Sequence, residues 1–205
     1  MIVEAMNAMG YDAMTVGQMD LYAGIEVLLQ RAKEARFAVL SCNLVGLKDG
    51  KPLFSPYIIV ERDGVRFGIL GVSEPDLGDL PGVGDVAQVL GPRESVQLYL
   101  AEVRSKSDVT ILLSHLGFDS DVMLAQTTPG INIIVGGKSR QVLTVPEIVG
   151  HTVIVQAGYD GEWLGRLDVA FDVAGLAVNP RVEIVTLGPE IADEPALAEL
   201  VAGYR

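Results

Sequence analysis

The sequence has one cysteine, little basic charge and no long apolar run, and each shortage excludes a class of protein. The single cysteine, Cys42, excludes a disulfide framework and a cysteine-based metal cluster. It lies in the apolar run Phe37–Leu44, so we expect a buried, unreactive thiol. Fifteen Lys and Arg against 27 Asp and Glu give a net charge of −12, so we expect no nucleic-acid partner. Apolar stretches such as Ile131–Val135 fall far short of the roughly 20 residues of a membrane span.

The length and composition are those of one or two compact domains. The hydrophobic pattern along the chain predicts alternating helices and strands. The predicted helices are Ile2–Met9, Leu21–Arg36, Glu94–Ser105, Asp119–Gln126 and Glu194–Gly203. The predicted strands are Ala13–Val16, Phe37–Leu44, Tyr57–Glu61, Val65–Val72, Val109–His115, Ile131–Val135, Thr152–Ala157, Trp163–Val173 and Arg181–Thr186. Asp119 and Asp193 are the predicted caps of the two helices that follow them.

The segment between the fourth predicted strand and the third predicted helix is rich in Gly, Pro and Asp. We expect a surface loop from Glu74 to Gly91 with one helical turn at Val86–Leu90. Alternating helices and strands early in the chain and strands alone later predict an α/β or α+β layered protein.

Three predicted strand ends carry polar or charged side chains. Gln18, Met19 and Asp20 follow the first strand, His115 ends the strand Val109–His115, and Lys138 and Arg140 follow the strand Ile131–Val135. Because ligands of open α/β sheets bind at the carboxyl ends of strands, these positions are the candidate site.

Short motifs along the whole chain resemble the 5′-nucleotidase branch of the calcineurin-like metallophosphoesterases. They are Asn7 to Gly17, Val39 to Asn43, Ser114-His115-Leu116-Gly117, Gly136-Gly137-Lys138-Ser139, Gln156-Ala157-Gly158 and Leu164-Gly165-Arg166-Leu167. The resemblance implies a metallophosphoesterase-like α/β fold, an α+β layered sandwich of two mixed β-sheets flanked by helices. It also implies a domain over residues 1–190 that lacks the family's first strands. A linker helix over residues 191–205 would lead towards an absent nucleotide-binding domain.

The same resemblance counts against the family's chemistry. Members of the family hold two divalent metals with Asp, Asn and His ligands, and such a pair activates water for attack on phosphorus. Gln18 and Met19, followed by Asp20, stand where the family has Gly-Asn-His-Glu, while Lys138 and Arg140 stand where it has two imidazoles. His115 is the one surviving candidate ligand, and one histidine does not make a metal site. We therefore expect no catalytic residue and no cofactor.

Each of these residues has more than one interpretation. His115 is a relict metal ligand or a strand-end histidine held by a hydrogen bond. Asp20 is the N-cap of the helix Leu21–Arg36 or an anchor for its own loop. Lys138 and Arg140 replace lost positive charge, form an anion site together with His115, or lie in a loop that drifted once metal binding was lost.

The favoured function is that of a degenerate, non-hydrolytic domain with a binding or subunit-interaction role. One alternative is a phosphohydrolase dependent on Mn²⁺ or Zn²⁺ that acts on nucleotides or related esters, with ligands completed by missing sequence or another chain. Another is a small-anion binder. We expect a homo-oligomer or a partner chain to cover the incomplete sheet edge, because open edges invite pairing. The resemblance suggests an exported or periplasmic protein, although Met1 to Ala5 open without the basic region of a signal peptide.

Overall fold

The computed structural model of the chain describes residues 1–204. The helices are α1 (Ile2–Met9), α2 (Ile25–Glu34), α3 (Pro92–Lys106), α4 (Phe118–Thr127) and α5 (Pro195–Ala202). The strands are β1 (Ala13–Thr15), β2 (Ala38–Leu40), β3 (Leu44–Gly46), β4 (Tyr57–Arg62), β5 (Val65–Val72), β6 (Ala87–Val89), β7 (Val109–Ser114), β8 (Ile133–Gly136), β9 (Glu147–Val149), β10 (Thr152–Val155), β11 (Trp163–Phe171) and β12 (Ala177–Thr186). Two 3₁₀ turns span Gln18–Leu21 and Pro75–Asp79.

Six strands form one mixed sheet in the order β4-β5-β7-β8-β10-β9. The four inner strands run parallel, and β4 and β9 pair antiparallel at the two edges. Three further pairs lie beside it: β1 with β2 in parallel, and β3 with β6 and β11 with β12 antiparallel. The prediction of a mixed α/β fold with sheets flanked by helices is confirmed.

The hairpin of β4 and β5 has the turn that the sequence predicts. Asp63 and Gly64 join the strands with φ of 51° and 79°, which is the backbone of the two-residue turn that suits the twist of a hairpin.

One face of the six-stranded sheet is covered by α3 and α4. Leu70, Leu112, Ile134 and Ile154 come from four neighbouring strands and are each 0% exposed. They pack with buried side chains of the two helices, including Val103 of α3. This is the main core of the protein, and we call it the helix face.

The opposite face has two separate covers. Next to the carboxyl ends of the strands, β2 lies so close to β5 that a Cβ on Gly71 would stand 2.5 Å from Cβ of Leu40. Further across the sheet, β11 lies against the residues that follow β10, where a Cβ on Gly165 would stand 2.9 Å from Cβ of Ala157. The β1–β2 pair and the β11–β12 ribbon thus cover different parts of one face.

A cavity of about 910 Å³ opens between this face and the ribbon. The sheet residues at its floor, which we call the open face, are Phe67, Ile111, Ile133, Val135 and Val155. Val135 is 40% exposed, although its neighbour Ile134 is 0% exposed.

Several predicted elements differ from the structure. Gly24, with φ of 95°, separates the 3₁₀ turn from α2, so the helix begins at Ile25 instead of Leu21. The run Phe37–Leu44 forms β2 and β3, which pair with different strands. The predicted helical turn Val86–Leu90 is wrong, because β6 pairs there with β3. The strand β9 had not been predicted.

The two predicted helix caps are also wrong. The residue before α4 is Gly117, with φ of 95°, and Asp119 lies inside the first turn. The cap of α5 is Glu194, whose carboxylate accepts a hydrogen bond from the Leu197 N–H at 2.9 Å, and not Asp193. The domain boundary after residue 190 stays a prediction, and Arg205, at the end of the predicted linker helix, lies outside the described residues.

None of the helices in residues 1–204 combines the length and the apolar content needed to cross a bilayer.

Candidate functional site

The candidate site lies where the parallel strands β5, β7 and β8 end, together with the turn that follows β1. Parallel pairing puts the carboxyl ends of these strands at one edge of the sheet. The edge therefore carries Glu74 after β5, His115 after β7 and Lys138 after β8.

His115 is held between protein groups. Its Nδ1 pairs with the Glu74 carboxylate, a side chain that is 2% exposed. Its ring also packs closely on the turn after β1, because a Cβ on Gly17 would stand 2.7 Å from Nε2 and Cδ2. Gly137 lies close to the ring as well, with a Cβ position 3.3 Å from Cδ2. His115 thus has the hydrogen bond that the second interpretation, a strand-end histidine, requires.

Asp20 is not the N-cap of α2. Its carboxylate accepts a hydrogen bond from the Gly17 N–H at 2.8 Å and so ties its own 3₁₀ turn to the end of β1. Burial raises the pKa of Asp20, while the Gly17 hydrogen bond and His115 lower it and Glu74 raises it further. Asp20 therefore anchors the loop, and it does so beside His115 and Glu74.

Lys138 and Arg140 each have an internal contact. The ammonium of Lys138 lies 3.4 Å from the carboxylate of Asp76. The guanidinium of Arg140 lies 5.1 Å from the centre of the Tyr159 ring, which in turn packs on Trp163 at 5.5 Å. Both backbones are left-handed, with φ of 67° and 57°. The two cations contact different partners, Asp76 and the Tyr159 ring, and the anion site of Lys138, Arg140 and His115 stays a prediction.

Gln18 and Met19 lie on the exposed side of their turn, and Met19 is 76% exposed. In the part of the chain that the structure describes, three or more His, Cys, Asp or Glu side chains nowhere group in a way that would hold a metal ion. The donors at this edge do not fit a metal pair, because His115 is engaged by Glu74 and the neighbouring positions carry Lys, Arg and Met.

A buried polar network supports the loops beneath the site. Asn43 is 0% exposed and joins two strand ends: it donates to the Ser73 carbonyl at 2.8 Å and accepts from the Ser73 N–H at 2.9 Å. The hydroxyls of Ser41 and Ser73 lie 2.9 Å apart. This network fixes the direction in which the chain leaves β5 towards Glu74.

Sequence reasoning missed Glu74, which is the main partner of His115. It stood at the start of the loop Glu74 to Gly91, whereas only the ends of β1, β7 and β8 had been considered. The signal was available, because Glu74 follows the strand Val65–Val72 at its carboxyl end.

The prediction that Cys42 is buried is confirmed. The side chain is 2% exposed, and burial raises the pKa of its thiol to about 12.

No family model matches the chain. A 5′-nucleotidase of Vibrio cholerae is 29% identical over 98% of this chain and 45% of its own length. The crystal structure of a 5′-nucleotidase precursor from Thermus thermophilus superposes with a TM-score of 0.88 at 31% identity, covering 98% of this chain and 44% of its own. The calcineurin-like phosphoesterase YfkN of Bacillus subtilis has the same fold, with a TM-score of 0.81 at 22% identity over 94% of this chain and 69% of that one. The chain spans less than half the length of the two 5′-nucleotidases.

Proposed function

We propose that this chain, a homologue of the N-terminal domain of 5′-nucleotidases with the calcineurin-like phosphoesterase fold, is a non-hydrolytic domain that binds another polypeptide. The observation that carries the proposal is the open face, an apolar sheet surface beneath a cavity of about 910 Å³. Apolar surface of this kind, left over in a well-packed fold, is typical of an interaction site.

The donors at the strand ends support the non-hydrolytic part of the proposal. Phosphoester hydrolysis by a metal pair needs several oxygen and nitrogen ligands that converge on ions about 3.5–4 Å apart. Here Nδ1 of His115 is paired with the Glu74 carboxylate, and the ammonium of Lys138 is paired with the Asp76 carboxylate. The side chains are paired with one another, which leaves little to attract a dication.

The arrangement of the small sheets supports the binding part. β1 pairs only with β2, and β11 pairs only with β12, so each pair has strand edges without a partner among the described strands. The two pairs cover different parts of the same face, with the open face as the cavity floor. An added strand would gain backbone hydrogen bonds and would bury apolar side chains at the same time. We propose that a second copy of the chain provides this cover.

Light scattering at micromolar concentration tests the self-association. We expect the wild-type chain to be a dimer or larger, and Val135→Glu to be a monomer, because it puts a charge on the open face. Val145→Glu is the matched control, since Val145 is 72% exposed and lies outside the cavity. A monomeric wild-type chain, or an equal effect of both variants, would contradict the proposal.

The alternative of a metal-dependent phosphohydrolase rests on the homologues, which are named 5′-nucleotidases. It requires ligands from outside residues 1–204, and Gln18, Met19, Lys138 and Arg140 would still occupy ligand positions. Assays of phosphate release from nucleoside monophosphates in the presence of Mn²⁺ or Zn²⁺ test it. Turnover that His115→Ala abolishes would favour this alternative over the binding role.

The second alternative, a small-anion site of Lys138, Arg140 and His115, predicts a higher melting temperature in phosphate or sulfate. An unchanged melting temperature at tens of millimolar phosphate or sulfate would exclude it.

Export to the periplasm is proposed on the resemblance alone, and fractionation of cells that express the natural gene tests it.

A further inference from the structure

A second polar cluster lies on the helix face, just below the candidate site. Asp121 of α4 is 0% exposed, and the Ser114 hydroxyl donates a hydrogen bond to its Oδ1. Its other oxygen, Oδ2, has no hydrogen-bond partner. Gln156, which follows β10, is 3% exposed; its Oε1 accepts from the Ser139 hydroxyl at 2.8 Å, and its Nε2 has no partner.

Asp121 and Gln156 both lie close to one glycine, Gly136. A Cβ on Gly136, the last residue of β8, would stand 2.6 Å from Oδ2 of Asp121 and 3.6 Å from Oε1 of Gln156. The carboxyl group of α4 therefore packs directly on the backbone of β8, with the carboxamide of Gln156 beside it. A side chain at residue 136 would remove this arrangement.

An ionised carboxylate is a poor occupant of this position. It receives one hydrogen bond, from Ser114, whereas buried carboxylates that stay charged normally accept several or face a cation. The protonated acid is neutral and has an O–H donor. The carboxamide oxygen of Gln156, on the same glycine, is an acceptor for it.

We propose that Asp121 carries a proton in the folded protein near neutral pH and, across Gly136, forms with Gln156 a proton-holding contact that joins α4 to β8 and β10. The contact is independent of the binding role proposed above. Burial raises the pKa of Asp121 to about 7, although the Ser114 hydrogen bond and His115 act in the opposite direction.

The groups that face Asp121 come from three strands and from its own helix. From β7 it faces Ser114, with His115 following; from β8 it faces Gly136, and after β10 it faces Gln156. On its own helix, Asp119 is exposed in the first turn. His115, which lowers the pKa of Asp121, already pairs with Glu74, and the first turn of α4 also favours the ionised form of Asp121.

The direction in which stability changes with pH depends on which state, folded or unfolded, binds the proton of Asp121. The folded state holds the proton up to about pH 7, whereas an unfolded Asp releases it near its ordinary pKa of 3.8. Between these values the unfolded state binds fewer protons, so stability falls as pH rises. The unfolding constant increases by up to about tenfold per pH unit over this range and levels off above it.

Urea unfolding of the whole chain between about pH 5 and pH 8 tests the proposal, with Asp121→Asn as the variant and Asp119→Asn as the matched control. We expect the wild-type chain and Asp119→Asn to lose stability as pH rises to about 7, and Asp121→Asn to lose most of this slope. Equal slopes in all three proteins would overturn the proposal.

Carbon-13 NMR of aspartate-labelled wild-type protein tests it without a variant that risks misfolding. We expect one carboxyl signal with a midpoint near pH 7, absent in Asp121→Asn where that variant folds, and moved to lower pH in Gln156→Met, which removes the acceptor of the proton. If all aspartates titrate below about pH 5, Asp121 is ionised in the folded state and the proposal is wrong. An unchanged midpoint in Gln156→Met would remove Gln156 from the contact.

Discussion

The two faces of the six-stranded sheet have similar side chains but different surroundings. On the helix face, Leu112 and Ile134 are fully buried beneath α3 and α4, whereas on the open face Ile111 is only half-buried and Val135 is 40% exposed. Alternate residues of the same strands therefore meet a packed core on one side and a cavity on the other. Strands that are apolar on both faces belong to sheets covered on both sides. Within residues 1–204 the helix face is fully covered, whereas cover of the open face is partial: Ile133 is 6% exposed and Val135 is 40% exposed. This is why we propose a second polypeptide for that face.

The largest expected difference is between two isoleucines on opposite faces. We expect Ile134→Ala to lower the free energy of unfolding by about 3–5 kcal/mol, because it leaves a cavity in a fully packed core. Ile111→Ala removes the same atoms from a side chain that already borders a cavity, so about 1–2 kcal/mol is expected. Urea unfolding of both variants measures this. Equal losses would mean that the open face is as well packed as the helix face.

A smaller effect is expected at the edge where the two faces meet the candidate site. Glu74→Ala leaves the partly buried His115 without its partner, and we expect a loss of about 2–3 kcal/mol. Asp76→Ala is the control from the same loop, because its carboxylate is 76% exposed and its pair with Lys138 contributes at most about 0.5 kcal/mol. Thermal and urea unfolding distinguish the two. If both variants are equally stable, the Glu74–His115 pair does not hold the site together.

The smallest of these effects concerns how closely the helix face is packed. A Cβ on Gly68 would stand 2.3 Å from Val103 of α3, so Gly68→Ala has to push the helix away, at a cost of about 1–2 kcal/mol. Gly78→Ala is the matched control, since the nearest atom to its Cβ, a methyl of Val89, would be 3.8 Å away. Urea unfolding again provides the comparison, and a neutral Gly68→Ala would show that α3 moves freely on the sheet.

Sequence patterns predicted most of the sheet and less of its surroundings. The hairpin at Asp63 and Gly64 and the strands β5, β7, β8 and β10 follow from apolar runs and turn residues, which are local signals. The split of Phe37–Leu44 does not, because Ser41 and Asn43 leave the strand to bond with Ser73, which lies 30 residues or more along the chain. The short strand β6 likewise depends on a distant partner, β3.

The candidate site shows the same limit. Motif order placed His115 and Lys138 at neighbouring strand ends, and the structure has them there. Their partners, Glu74 and Asp76, come from the loop after β5, and a sequence pattern does not say which carboxylate meets which cation. The sequence left a helix cap and a loop anchor open for Asp20, because a helix follows it. Gly24 shortens that helix, and the carboxylate accepts a hydrogen bond from the Gly17 N–H.

The central claim, that paired side chains have replaced metal ligands at the strand ends, is tested most directly by metal content and affinity. The chain would be loaded with Mn²⁺ and with Zn²⁺, dialysed, analysed for bound metal and titrated by calorimetry. We expect less than stoichiometric metal and no saturable heat, in the wild-type chain and in His115→Ala alike. One or two tightly bound ions that His115→Ala releases would contradict the account, since His115 would then be a working metal ligand.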